Sequence, residues 1–252
     1  MIKKYIDPFF KNNKCFILAY DHGSNKNTAI FKNESSNPKY IFELAKNINA
    51  TGIILNKGLA EIYRENKYTT PLIIKLDAKS ENTQKPILIC SVNYAQKLGA
   101  KAIGYTIYFG SEYESEQLKI FSELAEQAHQ SNMGVILWAY IVNSKWEHIY
   151  DEQKLSFAVR QAYEIGADLI KISNIDNINI ITNLQKIVPN LPIAIRGGDN
   201  IDENNLLEKS KLLINQGING FIIGRNIWQK NNAHDIGKKL LKIILNKDWR
   251  YR

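Results

Sequence analysis

From Cys15 onward the chain alternates short apolar runs with longer amphipathic stretches. The runs Cys15 to Tyr20, Gly52 to Leu55, Pro71 to Leu76, Ala102 to Ile107, Val135 to Ala139, Leu169 to Ile172, Pro192 to Ile195 and Gly220 to Ile223 have the length and apolar continuity of strands buried in a parallel sheet. Between them, apolar residues recur at helical spacing. In Ser115 to Ser131 these are Leu118, Phe121, Leu124, Ala125 and Ala128. Comparable patterns occupy Lys39 to Asn49, Pro86 to Leu98, Asp151 to Ile165, Asp176 to Ile187, Glu203 to Gln216 and Ala233 to Leu245. Four helices run into a strand through a similar small turn: Leu98-Gly99-Ala100, Ser131-Asn132-Met133-Gly134, Ile165-Gly166-Ala167 and Gln216-Gly217-Ile218. Glycine suits the left-handed cap of such turns. Repeated βα units with no linker predict one (β/α)8 barrel, a single domain over residues 1–252. Residues 1–14 form a lead-in, and residues 231–252 a last helix and tail. The polar patch Lys79 to Lys85 reads as a loop after the third strand.

In such a barrel, chemistry belongs at the carboxyl ends of the strands. The sixth run, Ala167-Asp168-Leu169-Ile170-Lys171-Ile172, sets a lysine into an apolar strand. Desolvation lowers an amine's pKa, and a neutral amine can attack a carbonyl to form a Schiff base. The plain alternative is a lysine whose head reaches water at the strand end. The neighbouring fifth strand ends in Trp138-Ala139-Tyr140, and the first in Tyr20-Asp21-His22-Gly23. An amine, a phenol and a carboxylate around one pocket suit imine formation followed by carbon–carbon cleavage. Singly, Tyr140 could be a rim aromatic and Asp21 a turn cap. After strands seven and eight, Arg196-Gly197-Gly198 and Gly224-Arg225 offer backbone amides and guanidinium groups where this architecture binds phosphate.

The remaining composition narrows the classes. The net charge of +8 would suit nucleic acid or anionic metabolites, but Lys and Arg are scattered without a run, which argues against nucleic acid. No apolar segment approaches the roughly 20 residues that span a bilayer, so a soluble, cytoplasmic protein is expected. Cys15 and Cys90 read as buried thiols of a reducing compartment. The four histidines, His22, His129, His148 and His234, form no pair at ligand spacing, so neither a metal nor another cofactor is expected.

Ala19-Tyr20-Asp21-His22-Gly23, Gly104 to Ser111 (GYTIYFGS), Trp138-Ala139-Tyr140, the strand-six lysine, Gly197-Gly198 and Gly224 to Gln229 (GRNIWQ) together resemble the archaeal-type class I fructose-bisphosphate aldolases in order and spacing. The resemblance implies a metal-independent lyase that cleaves fructose 1,6-bisphosphate reversibly to dihydroxyacetone phosphate and glyceraldehyde 3-phosphate in glycolysis or gluconeogenesis. It implies Lys171 as the Schiff-base lysine, Tyr140 as acid/base and Asp21 as partner in proton transfer. It also implies a homo-oligomer. The same family includes an aldolase-like synthase of an aromatic-precursor route and a thiolase-like enzyme acting on a phosphorylated signalling sugar, so another phosphorylated keto sugar is the alternative substrate. A non-catalytic binder of sugar phosphates or nucleic acid is the alternative from another class.

Two departures stand out. The family usually follows Trp-Ala-Tyr with Pro-Arg-Gly, whose arginine meets the second substrate phosphate, and here Ile141-Val142-Asn143 follows. The family usually has serine before the strand-seven glycines, and here Arg196 takes that place. Lys145, five residues past Tyr140, is the candidate substitute for the missing arginine, with Lys79 or Arg196 as the alternatives. The candidate phosphate-binding set is therefore Arg196, Gly197, Gly198, Gly224, Arg225 and Lys145.

Overall fold

A computed structural model describes residues 4–24, 30–79, 85–173, 175, 177–197 and 201–245. Eight parallel strands close into a barrel: β1 (Cys15–Ala19), β2 (Gly52–Leu55), β3 (Leu72–Lys75), β4 (Ala102–Phe109), β5 (Gly134–Ile141), β6 (Leu169–Ile172), β7 (Ile193–Arg196) and β8 (Gly220–Ile223). Each pairs with its neighbours in sequence, and β8 returns to β1 through Cys15 opposite Gly220. The expected (β/α)8 TIM barrel is the observed fold.

The helices are α1 (Pro38–Asn47), α2 (Lys57–Glu65), α3 (Val92–Lys97), α4 (Glu114–Gln130), α5 (Glu152–Glu164), α6 (Ile180–Ile187), α7 (Glu203–Asn215), α8 (Arg225–Trp228) and α9 (Ala233–Leu245). Four begin at side-chain caps that the sequence supplies: Asn37, Ser91, Asp151 and Asp202 accept from the amides of Lys39, Tyr94, Lys154 and Asn205. Gly99, Gly166 and Gly217 take the left-handed conformation expected of them. In the fourth turn Asn132 does so instead. Gly134 serves a different purpose, because a Cβ there would lie 2.6 Å from Ile6 Cγ2.

Two expectations change in detail. The stretch Pro86 to Leu98 is not one helix. Ile87–Leu88 pairs antiparallel with Asp77–Ala78, and Ser91 then caps α3 by accepting from the Tyr94 amide at 3.2 Å. Strands β4 and β5 also run further than expected, which carries Tyr108 and Tyr140 on the ladder as direct partners.

The barrel is filled from below. The 3-10 turn Lys4–Phe9 inserts Ile6 and Phe9 among Cys15, Ile17, Ile54, Ile73, Ala102, Ile136, Leu169, Ala194 and Ile222, and all of these are buried in one apolar cluster. A second, larger apolar layer lies between the barrel and its helices. With the lower barrel packed solid, long inward side chains near the strand ends have room only toward the upper mouth.

Candidate active site

The upper layer is set by ladder register. Lys75 pairs with Gly104, Trp138 with Lys171, Lys171 with Ala194, and Arg196 with Ile222. Trp138 closes the barrel at this level. Its indole packs onto Gly104 so tightly that a Cβ on that glycine would lie 1.9 Å from the ring. Lys171 is 8% exposed and its Nζ stands 5.1 Å from the centroid of the same ring. Burial lowers its pKa from 10.5 to about 7; the nearby Arg196 and Lys75 push the same way and Asp21 opposes them. Near neutral pH, a substantial share of this amine is the free base, the nucleophilic form.

Around the amine lie two adjoining cavities of about 290 and 160 Å³. Both are bordered by His22, Tyr140, His148, Lys171 and Arg196. Asp21, with Lys75, Lys79 and Tyr108, completes the smaller one. Burial raises the Tyr140 pKa, Arg196 opposes the rise, and Asp21 and Asp77 add to it. The Tyr140 ring stacks on Tyr108 at 5.5 Å and meets His148 at a tilt at 4.9 Å, and the Arg196 guanidinium lies 5.5 Å from its centroid. Asp21 sits with Oδ1 3.7 Å from His22 Nδ1, and its backbone carbonyl accepts from Asn56 Nδ2 at 3.0 Å.

Lys75 is the other lysine in an apolar strand, and its environment differs. It forms a buried ion pair with Asp77, whose Oδ1 also accepts from the Thr106 amide at 2.9 Å. The Lys75 amine is thus engaged by a carboxylate partner, which sets it apart from Lys171. At the larger cavity's other end, Gly197, Gly224, Arg225 and Asn226 line the wall. A Cβ on Gly224 would lie 2.5 Å from the Ala19 carbonyl oxygen, so only glycine keeps this edge open. Asn226 is buried, donates to the Gly197 carbonyl and accepts from the Ile201 amide at 2.9 Å, tying the ends of β7 and β8 together. Among the described residues, no three His, Cys, Asp or Glu side chains are placed to hold a metal ion.

The model of the DeoC/LacD family of aldolases matches residues 15–230. The chain belongs to that family. It is 30% identical over 250 residues, 97% of its own length and 94% of the relative's, to the class 1 fructose-bisphosphate aldolase of Thermoproteus tenax. A solved archaeal fructose-1,6-bisphosphate aldolase, with its catalytic lysine covalently bound to the carbinolamine intermediate, superposes with a TM-score of 0.88 at 28% identity, covering 96% of this chain and 98% of that one. The 2-amino-4,5-dihydroxy-6-oxo-7-(phosphonooxy)heptanoate synthase of Streptomyces griseus is more distant, 27% identical over 239 residues, 93% of this chain and 86% of the relative.

Of the residues singled out from sequence, Lys171, Tyr140, Asp21, Arg196, Gly197, Gly224 and Arg225 border these cavities. Gly198 lies outside the described residues. Lys145 is exposed and borders neither cavity. Its amide is held by Asn143 Oδ1 at 3.0 Å in a turn that folds the loop back, bridging Val142 to His148. That fold brings His148, not Lys145, to the site, and a histidine eight residues past Tyr140 was the one signal of it. Lys79, in the polar patch after the third strand, has its Nζ 5.0 Å from the Tyr108 ring and 5.5 Å from that of Trp146, on the cavity wall.

Proposed function

We propose that this chain is a class I fructose-bisphosphate aldolase that works through an imine on Lys171. The observation that carries this reading is one buried amine of lowered pKa at the barrel mouth, in a cavity shared with a phenol and, at its other end, an open glycine edge and Arg225. The name and covalent lysine chemistry of the relatives support it.

The chemistry then runs as follows. The free amine of Lys171 adds to the C2 carbonyl of the ketose to give a carbinolamine. Tyr140 gives its phenolic proton to the leaving hydroxyl, water departs, and a protonated imine remains. The phenolate next takes the proton of the C4 hydroxyl as the C3–C4 bond breaks; that bond's electron pair moves to the iminium nitrogen, leaving an enamine and the aldehyde. Asp21 lies within the same cavity to exchange protons with these groups. Protonation of the enamine and hydrolysis return the amine and dihydroxyacetone phosphate. The imine is itself the electron sink, which is why no step calls for a metal. Gly197, Gly224 and Arg225 hold the phosphate next to the reacting carbonyl, with Gly198 as a fourth candidate.

The cellular setting proposed is the cytoplasm, in glycolysis or gluconeogenesis, with the chain assembled as a homo-oligomer. No helix among the described residues is long and apolar enough to cross a membrane. A second reading, a synthase or thiolase acting on another phosphorylated keto sugar, is favoured by one observation: Ile141-Val142-Asn143 stands where the family's second-phosphate arginine would be. A coupled assay for dihydroxyacetone phosphate release decides between them. Cleavage of fructose 1,6-bisphosphate in the presence of chelator, lost in Lys171→Ala, supports the proposal. An active imine-forming protein that leaves this sugar intact supports the second reading.

A further inference from the structure

Arg196 is the residue at this site that the family pattern does not account for, and its surroundings differ from those of a simple anion ligand. It ends β7 at Cα register with Ile222 of β8 and borders both cavities. Its guanidinium lies 5.5 Å from the centroid of the Tyr140 ring and opposes the burial-driven rise of the phenol's pKa. The same tyrosine packs against two aromatic rings, Tyr108 at 5.5 Å and His148 at 4.9 Å. Tyr140 is therefore held by a cation and two rings.

A guanidinium has donors and no acceptor. Whenever it bonds the phenol oxygen it must donate, and it cannot receive the phenol's hydrogen. We infer that Arg196 is a positioning residue for Tyr140: by donating to the hydroxyl oxygen from beside the ring, it leaves the phenol's own hydrogen aimed into the cavity that Lys171 lines. The same contact steadies the phenolate that exists between the two proton transfers of the aldol cleavage, as charge-assisted hydrogen bonds do. Serine, the usual residue here, is both donor and acceptor and could take the hydrogen away from the substrate. This role assigns Arg196 to the proton path and takes it out of the phosphate-binding set.

The inference rests on the aldolase reading, which cleavage of fructose 1,6-bisphosphate by the wild-type protein tests by itself. Arg196 is tested by a double-mutant cycle with Tyr140→Phe, read as kcat and KM for fructose 1,6-bisphosphate and fructose 1-phosphate. Arg196→Met is expected to lower kcat by roughly 10- to 100-fold on both sugars alike. In the Tyr140→Phe background the same substitution should change kcat by less than about twofold, because the group it acts through is gone. Arg196→Lys should restore part of the loss, since a point charge keeps a donor but not the planar fork. If Arg196→Met does not fold, Arg196→Lys carries the same comparison with a smaller loss. Two results overturn the inference: losses that simply add in the double variant, or a loss confined to KM for the bisphosphate, which would make Arg196 a phosphate ligand.

Discussion

Trp138 and Lys171 are ladder partners on β5 and β6, and the indole of one is the surface against which the amine of the other stands, at 5.1 Å. Lys75 approaches the same ring at 5.3 Å. The ring is fixed by Gly104, where a Cβ would overlap it. Gly104→Ala must therefore displace the indole and with it the amine. Overpacking of this kind costs about 1–3 kcal/mol, so the variant should unfold at lower denaturant concentration and also trap imine more slowly. A variant with unchanged trapping would separate Trp138 from the placement of Lys171.

The pH dependence follows from the sign of the Lys171 shift. With a folded-state pKa of about 7, imine formation should rise about tenfold per pH unit below that value and level off above it. An ordinary lysine would keep rising to 10.5. The unfolded state binds more protons at this group between the two values, so its contribution to folding stability should increase as pH climbs from about 7 to 10.5 and be least favourable below 7. The pH profile of borohydride inactivation with dihydroxyacetone phosphate checks the kinetic half of this.

Tyr140→Phe should lower kcat for cleavage by roughly 10²- to 10⁴-fold while imine trapping on Lys171 persists, because a proton carrier is lost and the nucleophile is not. Wild-type turnover in this variant would reduce Tyr140 to a wall of the pocket.

The second phosphate needs a cation that Ile141-Val142-Asn143 does not supply. Lys79, on the cavity wall beside Tyr108 and Trp146, is better placed than the exposed Lys145. Losing a charged hydrogen-bond partner costs about 1.5–3 kcal/mol, so Lys79→Ala should lower kcat/KM for fructose 1,6-bisphosphate by roughly one to two decades. Fructose 1-phosphate should be little affected. Lys145→Ala should leave the ratio of the two sugars unchanged, and a collapse of that ratio in Lys145→Ala would restore the sequence-based assignment.

The barrel was legible because each strand is a short apolar run closed by turn residues, a signal that needs no tertiary context. Helix α2 was not, since only Ala60 and Tyr63 of Lys57–Glu65 are buried and Asn56 makes no side-chain cap bond, leaving neither stripe nor start signal. The stretch from Pro86 reads as continuous helix along the chain because Ile87–Leu88 gains its partner only from Asp77–Ala78, brought close by the barrel. At the site, strand ends located Lys171, Tyr140, Asp21 and Arg196 directly. What spacing along the chain could not give was the fold of the loop after β5, where turn bonds at Asn143 decide that His148 reaches the cavity and Lys145 does not. Nor could it give the ion pair that sets Lys75 apart from Lys171.

One measurement separates the two buried lysines, Lys171 and Lys75, most directly. Borohydride reduction in the presence of dihydroxyacetone phosphate, followed by peptide mass mapping, should place the adduct on Lys171, with none on Lys75 and none in Lys171→Ala. An adduct on Lys75, with Lys171→Ala still active, would contradict that placement.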